Sequence, residues 1–507
     1  VTLRPEGTRV SGGDLRALLG LPPGPPDHVD GVTLDSRRVR PGDLYAALPG
    51  FSTHGARFAA QAVDAGAAAI LTDPAGAALV ERAGGVPVPV LVVEDPRGRL
   101  GEVADWLFGH PSRRLRTTGI TGTNGKTTTS YLLDAALRAG GLAPTGIIGT
   151  VAIHIGDERV TASRTTPEAP DLHALLAVMV RRGVRAVTLE VSSHALALGR
   201  VDGVVFDLAV FTNLSQDHLD FHGTIDEYFA AKAALFTAER ARAALVCIDD
   251  GWGVRMAQHA RAAGLPTQTL SVEGSVDADW RADGIATEDG SGTFTLLGPG
   301  GVRLSAAVPL PGRFNVANGV AAIAAAVHQG IEVDTAVEAV RASEGVPGRM
   351  QRAATGDGVV GIVDYAHTPD AVERAIAAAR ETYDGRVIVV LGCGGDRDRQ
   401  KRPLMGRVAA QDADVLVITD DNPRSEAPGD IRAAIMVGVF HVEADHRAEV
   451  REEGDRHEAI RLAVAVARPG DVVLVLGKGH EVGQERAGQV TPFDDVAELR
   501  AALGSRP

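Results

Sequence analysis

The sequence predicts an α/β protein of three domains, residues 1–112, 113–345 and 346–507, with a P-loop-type parallel sheet in the central one. Three observations carry this. At 507 residues the chain is longer than one hydrophobic core serves. A glycine-rich stretch, Thr121-Gly-Thr-Asn-Gly-Lys-Thr127, stands between an apolar strand and a helix of apolar periodicity. From residue 359 onward four apolar strands each run into a polar loop, the pattern of an open parallel sheet with its ligands at one edge.

Composition narrows the function. Hydrophobic content of 45% with 23% charged residues is ordinary for a globular protein. A net charge of −14 argues against a nucleic-acid or anionic-membrane surface, so anionic ligands need local arginines and backbone donors. No run is apolar enough to span a bilayer and the N-terminus lacks a signal-peptide pattern, so a cytoplasmic protein without membrane insertion is expected. Cys247 and Cys393 are the only cysteines, each beside an apolar strand, which excludes a disulfide framework. Of 51 basic residues only Lys126, Lys232, Lys401 and Lys478 are lysine. Arginine has taken every place where any positive charge serves; the remaining lysines mark sites needing a compact, deprotonatable amine.

In chain order, residues 32–39 and 41–48 read as short strands broken by Pro41-Gly42, residues 59–69 as a helix, and 69–72 and 88–93 as strands. Asp35-Ser36-Arg37 reads equally as a turn or a ligand site. The strand ending near Ile120 then delivers the phosphate loop. Gly122 and Gly125 let backbone N–H groups face a phosphate chain, Lys126 reaches the outer phosphates and Thr127 offers its hydroxyl to Mg²⁺. Ile120 stands where the longer motif has its first glycine, so the loop is a shortened variant. A helix over 169–182 and a strand over 184–191 follow, ending in Glu190. A carboxylate there, one βαβ unit after the loop, is placed as a second Mg²⁺ ligand.

The strand 207–211 releases Thr212-Asn-Leu-Ser-Gln-Asp-His218, in which Asp217 and His218 read equally as helix caps or as ligands. A helix over 227–236 carries Lys232 among alanines and phenylalanine, and 243–248 is a further strand. Residues 250–312 read as an antiparallel excursion without chemistry. Pro311 to Asn318 caps an alanine-rich helix reaching His328. After a boundary near 344–350 come strands 359–364, 387–391, 414–419 and 471–476, followed by Tyr365-Ala-His-Thr-Pro-Asp370, Gly392-Cys-Gly-Gly-Asp-Arg-Asp-Arg-Gln-Lys-Arg402, Asp420-Asp-Asn-Pro-Arg424 and Gly477-Lys-Gly-His-Glu481.

The phosphate loop, Glu190-Val-Ser-Ser-His194, Thr212 to His218, the Lys232 helix, Asp364-Tyr-Ala-His367, Asp421-Asn-Pro-Arg424 and Gly477 to Glu481, in this order, resemble the Mur ligase family of ATP-dependent amino-acid ligases in peptidoglycan synthesis. The resemblance implies a UDP-binding first domain, an ATPase second and a Rossmann-like third that brings the amino acid. It implies acyl-phosphate chemistry with ATP as co-substrate and Mg²⁺ as cofactor, in a monomer.

By the same resemblance Lys126, His218 and Lys232 are catalytic, Thr127 and Glu190 hold a first Mg²⁺ ion, and His218 and Lys232 hold a second. Lys232 would do so as a carbamate, N6-carboxylysine, which arginine cannot form. Gly122, Thr123, Asn124, Gly125, Lys126, Thr127, Thr128, Asn315, Asn318, Arg349, Asp364 and His367 match ATP-binding positions. Ser36, Thr165, Thr166, Ser192 and Arg200 match the UDP-sugar dipeptide site. Arg397, Asp421, Asn422, Pro423, Arg424, Gly477 and Glu481 match the amino-acid site. Within the family the Asp-Asn-Pro-Arg motif accompanies meso-2,6-diaminopimelate, whose extra carboxylate suits the fork of Arg424; L-lysine or L-ornithine is the alternative. One departure stands out: His54-Gly-Ala56 occupies a place where relatives commonly read Asp-Gly-His. A folylpolyglutamate synthetase or a P-loop regulatory NTPase are the rival readings, disfavoured by the 110 or so residues before the loop and by the absence of an Asn-Lys-x-Asp motif.

Overall fold

The structure, a computed structural model, describes residues 3–50, 52–162 and 164–505; the outermost two positions at each end of the chain lie outside it. Three large sheets follow one another along the chain, with two two-stranded ribbons beside them among the described residues. Gly31–Thr33, Asp43–Ala46, Ala69–Thr72 and Val90–Val92 form a four-stranded parallel sheet in sequence order. Its first strand is shorter than the alternation of residues 32–39 predicts. The Asp35 carboxylate accepts the Arg37 N–H at 3.0 Å and turns Ser36–Arg38 into a 3₁₀ helix. The helix expected over 59–69 is likewise shortened to Ala59–Asp64 behind a 3₁₀ turn, Gly55–Phe58. His54 caps that turn: its Nδ1 accepts the Ala56 N–H at 3.0 Å, so its Nε2–H is the donor to Asp73 at 3.0 Å. The unusual histidine thus has a local structural task.

The central sheet has eleven strands. Seven are parallel, in the order Thr145–Ile148, Ala186–Glu190, Arg116–Thr121, Leu208–Phe211, Ala244–Cys247, Thr267–Ser271 and Trp280–Glu288. Antiparallel strands extend it at both edges, Ile153–Ile155 and Glu158–Val160 on one side, Ser291–Gly298 and Val302–Val308 on the other. The stretch expected to be wholly antiparallel therefore begins with a helix, Gly251–Ala262, and the parallel strand Thr267–Ser271. The Asp250 side chain caps that helix by accepting the Gly253 N–H, a start signal masked by the glycines around it.

The last sheet runs Gln351–Gly356, Val359–Asp364, Val472–Leu476, Val387–Leu391, Val415–Ile418, Glu449–Glu452, the first strand antiparallel and the rest parallel. The four strands predicted here form with their ends within one residue of expectation, because they are largely buried runs rich in Val, Ile and Leu. A continuous apolar cluster joins the last two sheets. It passes from Leu132 and Leu133 under the phosphate helix through Val320, Leu310, Val346 and Met350 to Ile376 and Leu391. The first sheet packs on the helix Ala169–Arg181 through Ala174 and Ala177. Beneath the last sheet Arg456 and Asp495, both fully buried, pair at 2.7 Å.

Candidate active site

A cavity of about 780 Å³ opens between the C-terminal edges of the central and last parallel sheets, the edge at which open α/β sheets bind ligands. The phosphate loop forms one wall. Gly125 has φ +87°, and a Cβ there would stand 2.3 Å from Asn318 Oδ1; a Cβ on Gly122 would stand 1.9 Å from Thr212 Oγ1. Both glycines are therefore required by close approach as much as by backbone freedom. Lys126 Nζ donates to the Gly122 and Thr123 carbonyls, each at 2.9 Å. Thr123, Asn124, Thr127, Thr128, Asn315 and Asn318 line the same wall.

Glu190, fully buried at its strand end, accepts the Thr127 hydroxyl at 3.0 Å and, from Thr150, the N–H at 3.0 Å and the hydroxyl at 2.8 Å. Thr150 escaped the sequence reading; it joins Glu190 to Thr165, whose hydroxyl lies 3.0 Å away. Gly149 is equally constrained, for a Cβ there would meet Glu190 Oε1 at 2.1 Å. Lys232, 1% exposed, donates to the same Gly122 carbonyl as Lys126, at 2.9 Å, and lies 4.4 Å from the Tyr228 ring centroid. Burial and the neighbouring Lys126 push the Lys232 amine well below its ordinary value, with Asp217 opposing. Two ammonium groups on one carbonyl repel, and a neutral or carbamylated Lys232 removes the conflict.

His218 packs against the same tyrosine ring, 6.4 Å between centroids. It heads the short helix Leu219–His222 with φ +55°, and its ring makes no capping hydrogen bond. His218 occupies the cap position without capping through its ring: Asp217 accepts its N–H at 3.0 Å and lies 3.3 Å from its Nε2, and the residue borders the cavity. Desolvation, with His194, His367 and Lys232 nearby, pushes His218 down to about 3, so it is a neutral donor at pH 7. The Thr127 hydroxyl and Glu190 carboxylate fit Mg²⁺, which prefers oxygen ligands; Lys232, beside the neutral imidazole of His218, would offer oxygen only as a carbamate. Elsewhere among the described residues the one group of three metal-capable side chains is Glu443, Asp445 and His446, all exposed.

The last sheet supplies the opposite wall. Arg349 reaches back to donate to Thr127 Oγ1 at 3.0 Å. Asp364 is fixed by the Met350 and Ala366 N–H groups, both at 2.7 Å. His367 Nδ1 donates to the Tyr365 carbonyl at 2.8 Å; burial pushes its ring down to about 4 and leaves Nε2 as an acceptor. Arg424, at φ +53°, donates to the Gly395 carbonyl at 2.7 Å and lies 3.4 Å from Glu485. Its guanidinium and that of Arg397 face the cavity, as do Asp421, Asn422, Gly477 and Glu481. Arg424 sits in a loop bridged to Arg486, ahead of the helix Pro428–Val439.

Lys478, wholly buried, donates to Asn422 Oδ1 at 3.1 Å, and Asn422 Nδ2 donates to Glu481 at 2.7 Å. The rare lysine thereby aims the amide. Burial and the adjacent Asp421 raise Glu481 above the usual carboxylate range, a state that a bound ammonium would relieve. Pro423 lies in this loop but does not line the cavity.

Among the residues matched to the UDP-sugar dipeptide, Thr165 and Ser192 line the cavity. Thr166 and Arg200 stand behind it, Thr166 donating to the Glu190 carbonyl at 2.8 Å and Arg200 pairing with Glu168 at 2.9 Å. Ser36 opens the 3₁₀ helix after the first strand, where its hydroxyl donates to Gln61 at 3.1 Å, and is not brought to this cavity. The stretch expected to carry no chemistry does contribute: Asp250, Val272, Glu273 and Gly312 line the cavity beside Asp249 and Arg313. The acids at this strand end were the available signal.

Three family models cover the chain: "Mur ligase family, catalytic domain" at residues 28–105, "Mur ligase middle domain" at 120–326 and "Mur ligase, glutamate ligase domain" at 348–479. A UDP-N-acetylmuramoyl-L-alanyl-D-glutamate--2,6-diaminopimelate ligase of Streptomyces coelicolor is 54% identical over 94% of this chain and 92% of its own. One of the same name from Corynebacterium glutamicum is 47% identical over 96% and 95%. A solved structure of a ligase of that name is 33% identical, with a TM-score of 0.68 over 97% of this chain and 98% of that one. With the phosphate loop, the buried lysine pair and the arginine-bearing loop in one cavity, the chain belongs to the Mur ligase family.

Proposed function

We propose that this ligase joins meso-2,6-diaminopimelate to UDP-N-acetylmuramoyl-L-Ala-D-Glu at the expense of ATP, as a cytoplasmic monomer in peptidoglycan precursor synthesis. The observation carrying the reading is a single cavity with phosphate-binding groups on one wall and paired cationic and acidic groups on the other. We assign residues 1–112 to the UDP moiety, 113–345 to ATP and 346–507 to the amino acid.

An oxygen of the D-glutamyl γ-carboxylate attacks the ATP γ-phosphorus, ADP leaves, and the amine nitrogen of the incoming residue then displaces phosphate from the acyl carbon. Lys126 and Arg349 hold the phosphate oxygens as charge builds, an arrangement of fixed donors that stabilises the transition state. Thr127 and Glu190 would hold one Mg²⁺ ion and His218 with carbamylated Lys232 a second, and the bound ions would neutralise phosphate charge. Arg424 and Arg397 receive the carboxylates of the diamino acid, and Glu481 with Asp421 receives its distal ammonium. A lysine substrate has one carboxylate fewer and leaves a guanidinium facing an ammonium.

The test is phosphate release with ATP, Mg²⁺ and the UDP-dipeptide, comparing diaminopimelate, L-lysine and L-ornithine. Turnover with diaminopimelate alone, reduced about 100-fold by Arg424→Ala, is expected from the loss of a desolvated charge pair. Turnover with lysine or ornithine retains the ligase and overturns the role of Arg424.

A further inference from the structure

We propose that Asp370 is a positioning residue that couples docking of the amino-acid-binding lobe to the geometry of the phosphate loop; this rests on the function proposed above. Asp370 is the second residue of the helix Pro369–Thr382, after the cap Thr368. An acid in a first turn complements the helix dipole, and any solvent-facing rotamer does so. Here the carboxylate is turned across the boundary between the last two sheets. Its Oδ1 accepts Arg374 Nε at 2.8 Å, one turn along the same helix, which fixes the rotamer. Its Oδ2 accepts both Asn124 Nδ2 at 3.0 Å and Ser215 Oγ at 3.3 Å.

Those two donors sit on the two loops that matter. Asn124 is in the phosphate loop, between Thr123 and Gly125, and its N–H donates to Asn213 Oδ1 at 3.0 Å. Ser215 lies three residues before His218, and its N–H donates to Thr123 Oγ1 at 3.0 Å. The loops are therefore already laced together inside the central region, and Asp370 is the acceptor that the other lobe adds to the lacing. When the helix withdraws, Asn124 and Ser215 lose one anionic acceptor at the same moment. When it docks, both loops are drawn to one point. Docking thereby strengthens nucleotide binding, and by reciprocity nucleotide favours docking. Other polar bridges join the same lobes, among them Arg349 to Thr127 at 3.0 Å and Lys401 to Asp217 at 3.6 Å. They keep the lobes together when Asp370 is changed.

The experiment measures ADP affinity of the full chain by calorimetry with Mg²⁺, for wild type, Asp370→Ala, Asn124→Ala and the double variant, with melting midpoints alongside. Asp370→Ala should weaken ADP about tenfold, the loss of a charge-assisted contact. The double variant should weaken ADP by less than the product of the two single effects, since the Asp370–Asn124 contact is lost in both while each residue keeps contacts of its own. In turnover, KM for ATP should rise while KM for the amino acid stays within about twofold. Asp370→Asn keeps the shape and one acceptor; it should fall between wild type and Asp370→Ala, and it serves if the alanine variant does not fold. Unchanged ADP affinity in Asp370→Asn and Asp370→Ala, or single effects that multiply in the double variant, overturns the coupling. ADP binding does not depend on the amino acid used, so a wild type that binds ADP yet turns over no diamino acid refutes the proposed function and not this inference.

Discussion

Lys126 and Lys232 sharing the Gly122 carbonyl is the tightest electrostatic conflict in the cavity. Its resolution makes Lys232 the least replaceable side chain of the site. Lys232→Arg keeps the charge but cannot be neutral or carbamylated, so kcat should fall at least about 100-fold, comparable to losing a preorganised electrostatic contact. Carbon-13 NMR with ¹³CO₂ should show a carbamate signal in wild type that the variant lacks; an active Lys232→Arg refutes the assignment. At this scale the sequence was legible through scarcity, because a lysine kept in an arginine-rich chain marks a special amine. Scarcity did not say what each amine does. Lys478 turned out to orient Asn422, and Lys401 to bridge to Asp217, and both depend on contacts between segments far apart in the chain.

Strand ends decide where these side chains stand. Glu190 is held by an adjacent chain segment with no room to spare, so Gly149→Ala should displace the carboxylate and depress activity while the melting midpoint moves by a few degrees; kcat and calorimetry on one sample check it. The buried Arg456–Asp495 pair is a second case. Asp495→Ala leaves a guanidinium without its carboxylate in the core and should cost about 3–5 kcal/mol in denaturant unfolding. The buried parallel strands were legible because they read as short apolar runs. The helix Gly251–Ala262 and the strand after it were not, since glycines at positions 251 and 253 and the alternation that follows imitate a β-meander. Thr150 was hidden for a different reason: nothing local distinguishes a threonine that bonds a carboxylate forty residues away.

Four histidines in and near the cavity pull in one direction. Burial pushes His218 down to about 3, and His222, His367 and His480 to about 4. The unfolded chain, with ordinary histidines near 6.5, binds protons that the folded chain refuses, so stability falls as pH drops from about 6.5 toward 4. Asp217 is raised by burial yet pulled down to about 2 by His218 and Lys401, and Glu426 is held at about 2 by Arg402. Their contribution is lost in turn as pH falls from about 4 toward 2. The melting midpoint should decline as pH falls below about 6.5; a level midpoint from pH 7 down to pH 5 contradicts the burial of these rings as neutral groups.

The link between the central and last sheets also bears on how such chains can be recombined. Gly348 leaves no space for a Cβ, which would stand 2.2 Å from the His480 nitrogen, while Arg349 beside it donates to Thr127 on the other side. Its few residues work as a keystone cut for two stones at once. A chimaera that exchanges the amino-acid lobe at this seam inherits a joint matched to only one of its halves, so specificity in this protein is more readily transplanted loop by loop than lobe by lobe.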